Sequence, residues 1–175
     1  SADGLISFYA VATDSSGNSS ACADISLSYT LDTTAPTIAE VQAFTWVLSS
    51  PTNGSNSNDG TPVLSLSNAT SENGGNVQVY DNAVCSSAKG SNQAILAGGS
   101  THSDINYATD GSDDGVIAFY VVMTDASGNI SQCTDIASGY TLDTLDPVVT
   151  ITKSPSINST NQNNYTLSGT CSENS

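Results

Sequence analysis

Acidic side chains recur at matched positions along this chain, as the ligands of a repeated metal site would. The two matched sets of three carboxylates are Asp3, Asp32 and Glu72, and Asp114, Asp143 and Glu173. Carboxylate oxygens, main-chain carbonyls and water are the ligands that calcium prefers, whereas zinc in proteins is held largely by Cys and His. The pattern therefore predicts a Ca²⁺ site at each set.

Four residues in nearby loops form a secondary set of candidate ligands: Asp110, Asp125, Asn129 and Asp146. Asp125 and Asn129 belong to "TDASGN", and Asp and Asn often form turns by hydrogen-bonding to their own backbone. The turn role is the favoured interpretation of this pair. The segment "DGSDDG" at 110–115 either supplies further ligands or forms a solvated loop.

The carboxylates recur because the chain contains an internal repeat. Residues 3–36 align with residues 114–147 without a gap, and 21 of the 34 aligned positions are identical. "LSNATSEN" at 66–73 returns as "LSGTCSEN" at 167–174, now 101 residues later instead of 111. The first copy therefore carries an insertion of ten residues, placed within "QAFTWVLSSPTNGSNSNDG".

The repeat defines the expected domains, because about 111 residues is a common size for one domain. We expect the C-terminal part of one unit at 1–32, a complete unit at 33–145, and the N-terminal part of a third at 146–175.

The composition excludes some partners. The chain has 17 acidic residues, two lysines and no arginine, and its net charge is -15. Nucleic-acid phosphates and anionic lipids both require basic side chains, so neither is an expected partner. No apolar run approaches the roughly 20 residues of a membrane helix, so no membrane insertion is expected in this segment.

Short strands separated by Gly, Asn, Asp and Ser clusters are predicted throughout the complete unit. The expected strands lie near 37–48, 61–70, 76–82, 84–96, 101–108, 115–125 and 130–143. About seven such strands in one unit are typical of an antiparallel β-sandwich, so the fold class is all-β. In the strand at 115–125, the face expected to point inward is that of Ile117, Phe119, Val121 and Met123.

The motifs "FYVVMTDASGN", "YTLDTLDP" and "VQVYDN" together resemble the bacterial Ig-like repeats of large extracellular adhesins. The resemblance implies tandem immunoglobulin-like sandwiches in a secreted or surface-anchored bacterial protein, with calcium often bound at domain junctions. Adjacent repeats of the same polypeptide would be the main partners, and neighbouring copies in a filament a further one. The cysteines, the insertion and Asp146, where the family usually has Ala, depart from the pattern.

Strand order places the matched carboxylates at the junctions between units. In an up-and-down trace, Asp114 and Asp143 converge where the next unit attaches, and Glu173 of that unit faces the same junction. Asp3, Asp32 and Glu72 repeat this arrangement at the earlier junction. Asp125 and Asn129 also point towards the earlier junction.

The complete unit contains two cysteines, Cys85 and Cys133, which form the simplest disulfide pair if the chain is exported. The alternative is two unpaired, buried thiols. No Cys or His cluster with metal-ligand spacing occurs.

No motif of an active site is present, so catalytic residues are not expected. The chain has one histidine, His102, which the sequence places on the surface of a strand. Trp46 is expected to pack on the core or its edge. A structural stalk is favoured over two alternatives: a module that binds a glycan or a surface, and an accessory domain of a secreted enzyme.

Overall fold

The computed structural model describes residues 3–97, 99–153 and 156–172, and only the main chain of Lys153 is described. The strands are β1 (Gly4–Ala10), β2 (Ala23–Leu31), β3 (Thr45–Ser50), β4 (Asn56–Ser57), β5 (Val63–Ser67), β6 (Asn76–Tyr80), β7 (Ala88–Ala94), β8 (Ser100–His102), β9 (Gly115–Thr124), β10 (Thr134–Leu142), β11 (Val148–Lys153) and β12 (Ser168–Ser172). Helix α1 (Ile38–Ala43) and a 3₁₀ helix (Thr70–Glu72) complete the described elements. Neither helix is long and apolar enough to cross a membrane.

The middle of the chain forms two facing sheets, which together are called the central sandwich. One has the strand order β4-β10-β9-β6-β7 and the other the order β3-β5-β8. All pairings are antiparallel except that of β4 with β10, which is parallel. The β1–β2 and β11–β12 pairs are separate two-stranded antiparallel sheets. The expected all-β, antiparallel fold is therefore confirmed.

The core lies between the two central sheets and takes alternate side chains of each strand. On β9, Ile117, Phe119, Val121 and Met123 are buried, whereas Val116 is 83% exposed. Because successive side chains of a strand point to opposite faces, these exposures show which face of β9 packs on the core. The face predicted to point inward is confirmed.

Residues 37–48 are not one strand, contrary to the prediction. They form α1 and then β3, because Thr37 caps the helix. The Thr37 hydroxyl accepts a hydrogen bond from Glu40 N at 3.3 Å, and the Glu40 carboxylate accepts one from Thr37 N at 2.7 Å. This reciprocal capping box satisfies main-chain donors that a helix start otherwise leaves unpaired.

The segment of the predicted insertion adds strand β4 to the edge of the larger sheet at β10. Gly54 N donates to Gly139 O at 2.7 Å, and the Tyr140 hydroxyl donates to Asp59 O at 3.0 Å. These contacts cover an edge that would otherwise expose unpaired main-chain groups. Trp46 packs on the core and donates from its indole to Val41 O at 2.9 Å, so its predicted packing role is confirmed.

His102 is not a surface residue, and that prediction is wrong. It pairs with Leu64 of β5, and residues directly opposite in an antiparallel pair share one face. Leu64 faces the core, so the imidazole of His102 is buried as well, with 0% exposure. Strand β8 is also shorter than the predicted strand at 101–108.

Candidate functional site

Four carboxylates line one cavity of about 140 Å³ where the β2 exit meets the central sandwich. They belong to Asp32, Glu40, Glu72 and Asp125. Asp32 follows β2, Glu40 lies in the first turn of α1, Glu72 ends the 3₁₀ helix, and Asp125 follows β9. Four separate elements therefore bring like charges to one place.

Glu72 is the least solvated of the four carboxylates, with 9% of its surface exposed. Burial raises the pKa of its carboxyl above the ordinary value, and a hydrogen bond from Ser71 opposes this effect. The charges of Asp125, Glu40 and Asp32 raise the pKa of Glu72 further. The cavity thus holds negative charge that its own residues do not neutralise.

Asp125 organises the loop of residues 125–129. Its Oδ1 accepts hydrogen bonds from Ser127 N and Asn129 N, each at 2.8 Å, and its Oδ2 accepts from Asn129 Nδ2 at 2.8 Å. Burial raises the pKa of Asp125, but these hydrogen bonds outweigh it and the net pKa is lowered. Asp125 and Asn129 therefore have the turn role that the sequence favours.

Asp32 lies against this loop. Its Oδ1 accepts from Thr34 N at 3.1 Å and its Oδ2 from the Ser127 hydroxyl at 3.1 Å. Its main-chain oxygen accepts from Asn129 Nδ2 at 3.2 Å. Both loop residues therefore join the β2 exit to the central sandwich.

Asp3 is not among the residues that line the cavity. Its carboxylate accepts hydrogen bonds from the hydroxyls of Thr33 and Thr34 at 2.7 and 2.5 Å, which lower its pKa. Of the first matched set, the cavity brings together only Asp32 and Glu72. Glu40 was missed as a candidate, although "TIAE", the signature of its capping box, could have placed it there.

Asp114 and Asp143 of the second matched set lie at the same end of one strand pair, because they flank Gly115 and Leu142, which pair across β9 and β10. The Asp114 carboxylate accepts from Thr144 N at 3.0 and 3.1 Å and from its hydroxyl at 2.8 Å. Asp143 Oδ1 is buried and has no hydrogen-bond partner in the described part of the chain. Glu173 lies outside the described residues. Of the secondary set, Asp110 accepts from Ser112 within its own loop, and Asp146 is exposed.

Within residues 3–97, 99–153 and 156–172, no three His, Cys, Asp or Glu side chains are arranged to hold a metal ion. The four carboxylates share a cavity, but their oxygen atoms are not arranged as a preformed metal-binding site. Calcium therefore remains a prediction at both junctions.

A disulfide joins Cys85 to Cys133, with 2.04 Å between the sulfurs and a separation of 48 residues. This is the predicted pair. The bridge ties the loop after β6 to the segment just before β10. Cys22 and Cys171 are exposed and unpaired.

A second cavity, of about 280 Å³, lies along β9 and β10 beside Gly54. Its lining residues include Val116, Ala137, Ser138 and Thr141, and Asp135 is the one Asp, Glu, Lys, Arg or His among them. The Asp135 carboxylate accepts a hydrogen bond from Ala137 N at 2.7 Å. The carboxylate cavity is the candidate site because it brings four acidic side chains together.

No protein-family model matches this sequence, and no match to it was found among curated proteins.

Proposed function

We propose that this chain is a segment of tandem immunoglobulin-like sandwiches that serves as a stalk in a long extracellular bacterial adhesin. The observation that carries the proposal is the equivalence of β1–β2 and β9–β10. In β1–β2, Phe8 stacks on Tyr29 with ring centroids 5.9 Å apart; in β9–β10, the aligned Phe119 stacks on Tyr140 at 6.4 Å.

The two ring pairs differ in what covers them. Phe119 and Tyr140 are 0% and 2% exposed because the second sheet packs over them, whereas Phe8 and Tyr29 are 44% and 49% exposed. The sequence and geometry of a core face are thus present in β1–β2, and no opposing sheet covers it among the described residues. This supports the interpretation of β1–β2 as part of another sandwich of the same type.

The strand order of the middle unit also supports the immunoglobulin-like assignment. Strands β3, β5 and β8 form one sheet, and β10, β9 and β6 form the centre of the other, as A, B, E and G, F, C do in that fold. Strand β7 extends the second sheet beside β6, as an added strand does in variable-type domains.

Two features support an extracellular stalk over the alternatives. The disulfide is typical of proteins in oxidising surroundings. Phe44 and Trp46 pack against the core, so these aromatic residues do not form the exposed platform that a glycan-binding module would use.

The autonomous middle unit that a stalk of tandem domains requires can be tested on residues 33–146 alone. They should give a cooperative unfolding transition and a dispersed amide spectrum, because the sandwich core lies within this range. A polypeptide of these residues that remains unfolded under oxidising conditions would contradict an autonomous unit.

We further propose that calcium binds near the carboxylate cavity and stiffens the junction. The residues that would hold it are Asp32, Glu72 and Asp125, with Glu40 close by. Their oxygen donors suit a hard cation, and the buried, uncompensated charge of Glu72 is what a cation would relieve. A bound calcium would supply positive charge and hold the carboxylates together.

Calorimetric titration of the chain with calcium tests this binding. At free calcium about 100-fold above Kd, the folded state should gain about 2.7 kcal/mol per site. Glu72→Gln should weaken binding, whereas Asp24→Asn, which alters an exposed carboxylate of β2, should not. Equal titration curves for the two variants would refute this assignment.

A further inference from the structure

The loop of residues 125–129 has a twin in the loop of residues 14–18. In both, an Asp carboxylate accepts from two main-chain N–H groups and from an Asn side chain, at 2.9, 2.9 and 3.0 Å in the 14–18 loop. In both, the glycine before that Asn has a left-handed φ, +87° at Gly17 and +93° at Gly128. The loop conformation is therefore the same in the two places.

The two loops differ in what they touch. Ser127 and Asn129 each donate a hydrogen bond to Asp32, at 3.1 and 3.2 Å. Among the described residues, the equivalent Ser16 and Asn18 have no hydrogen-bond partner outside their own loop. The loop conformation therefore does not depend on Asp32. The Ser127 hydroxyl and the Asn129 side-chain amide are preorganised to donate to the segment that follows β2.

We propose that the 125–129 loop is a hydrogen-bond latch that fixes the β1–β2 sheet against the central sandwich without a cation. Ser127 and Asn129 are its positioning residues, and the partner they take is the aspartate that follows the last strand of a preceding unit. Asp32 contributes both a carboxylate oxygen and a main-chain oxygen, so the contact restrains the main chain as well as the side chain. By extension, resting on the proposed tandem arrangement, the 14–18 loop takes the corresponding aspartate of another unit.

The latch differs from a calcium junction because its hydrogen bonds require no bound ion. Its donors are a hydroxyl and an amide, which stay neutral and present their hydrogens whether or not an ion is bound. The contact should therefore persist in chelator, where the repulsion among the carboxylates of the cavity is not relieved.

The test is nuclear magnetic resonance of the whole chain in chelator. In the wild-type protein, residual dipolar couplings of β1–β2 and of the central sandwich should fit one alignment tensor. The side-chain amide of Asn129 should exchange about two- to tenfold more slowly than that of Asn18, the range for one net hydrogen bond.

The decisive variant combines Ser127→Ala with Asn129→Ala, which removes both donors without adding a charge. Its matched control combines Ser16→Ala with Asn18→Ala, which removes the same side-chain groups from the twin loop but breaks no contact with Asp32. We expect separate alignment tensors in the first variant and a single tensor in the control.

The latch is refuted if the first variant keeps a single tensor, or if wild-type protein in chelator already shows two. A single tensor that forms only when calcium is added would also refute it, and would leave the calcium junction standing. If the double variant does not fold, Ser127→Ala alone and the comparison of Asn129 with Asn18 exchange decide the question.

Discussion

Acidification should destabilise the central sandwich through its one histidine. His102 is fully buried, and neither ring nitrogen has a hydrogen-bond partner among the described residues. Burial lowers the pKa of His102 below its ordinary value of 6.5, although the nearby charge of Asp104 opposes this. The folded protein therefore keeps this imidazole neutral at a pH where the unfolded chain binds a proton.

The sign and size of the effect follow from proton linkage. Above pH 6.5 the imidazole is neutral in both states and contributes no pH dependence. Below it, the free energy of unfolding falls by up to about 1.4 kcal/mol per pH unit, which reaches about 2 kcal/mol at pH 5 if the folded form binds no proton. Glu72 acts in the opposite sense, because its raised pKa makes the folded state bind its proton first.

Urea denaturation of the chain between pH 7.5 and 5.0 measures this slope. His102→Leu should flatten the slope in this range, and Glu72→Gln should make the fall steeper. Thr101→His, which adds an exposed imidazole on the same strand, is the matched control and should leave the slope unchanged. A His102 ring that titrates near 6.5 in the folded protein, with no loss of stability, would refute the reasoning.

Four further perturbations probe the core and the contacts that hold it. Reducing the bond between Cys85 and Cys133 should cost about 4 kcal/mol on the chain-entropy relation for its separation of 48 residues, and an unchanged denaturation midpoint in reductant would contradict it. Phe119→Ala should cost about 3 to 5 kcal/mol because it empties a fully buried site. The aligned Phe8→Ala should cost less than about 1 kcal/mol at its exposed position, and equal costs in thermal unfolding would count against the packing described. Trp46→Phe removes the indole hydrogen bond to Val41 and should lower the free energy of unfolding by about 1 kcal/mol. Fluorescence quenching of the wild-type protein should verify that the indole is shielded from solvent.

The sequence could predict the features that depend on local patterns. Alternation on the strand at 115–125 identified Phe119 and its neighbours as core, because one face of a strand is buried and the other is not. The repeat and the pairing of Cys85 with Cys133 needed only counting and spacing. The turn role of Asp125 followed from the residue types of its loop.

Features that depend on packing between distant segments were not predictable in this way. Glu40 joins the carboxylate cavity because a capping box starts a helix where apolar residues suggested a strand. His102 is buried because it pairs with Leu64, which faces the core. The register of a short strand that lacks a clear alternation of apolar and polar residues cannot be read from its sequence. Asp3 accepts hydrogen bonds from Thr33 and Thr34 and does not line the cavity with Asp32. The sequence does not show which of several nearby polar residues a carboxylate will bond to.

Small-angle scattering from polypeptides with an increasing number of repeats tests the proposed stalk most directly, with calcium and then with chelator. We expect the maximum dimension in calcium to grow by an equal increment for each added repeat, as in a rod. In chelator the hydrogen bonds of Ser127 and Asn129 to Asp32 should preserve this increment, whereas the loss of bound calcium should lower the melting temperature. A maximum dimension that stops growing as repeats are added would contradict the stalk. A melting temperature that does not change on chelation would contradict the calcium junction.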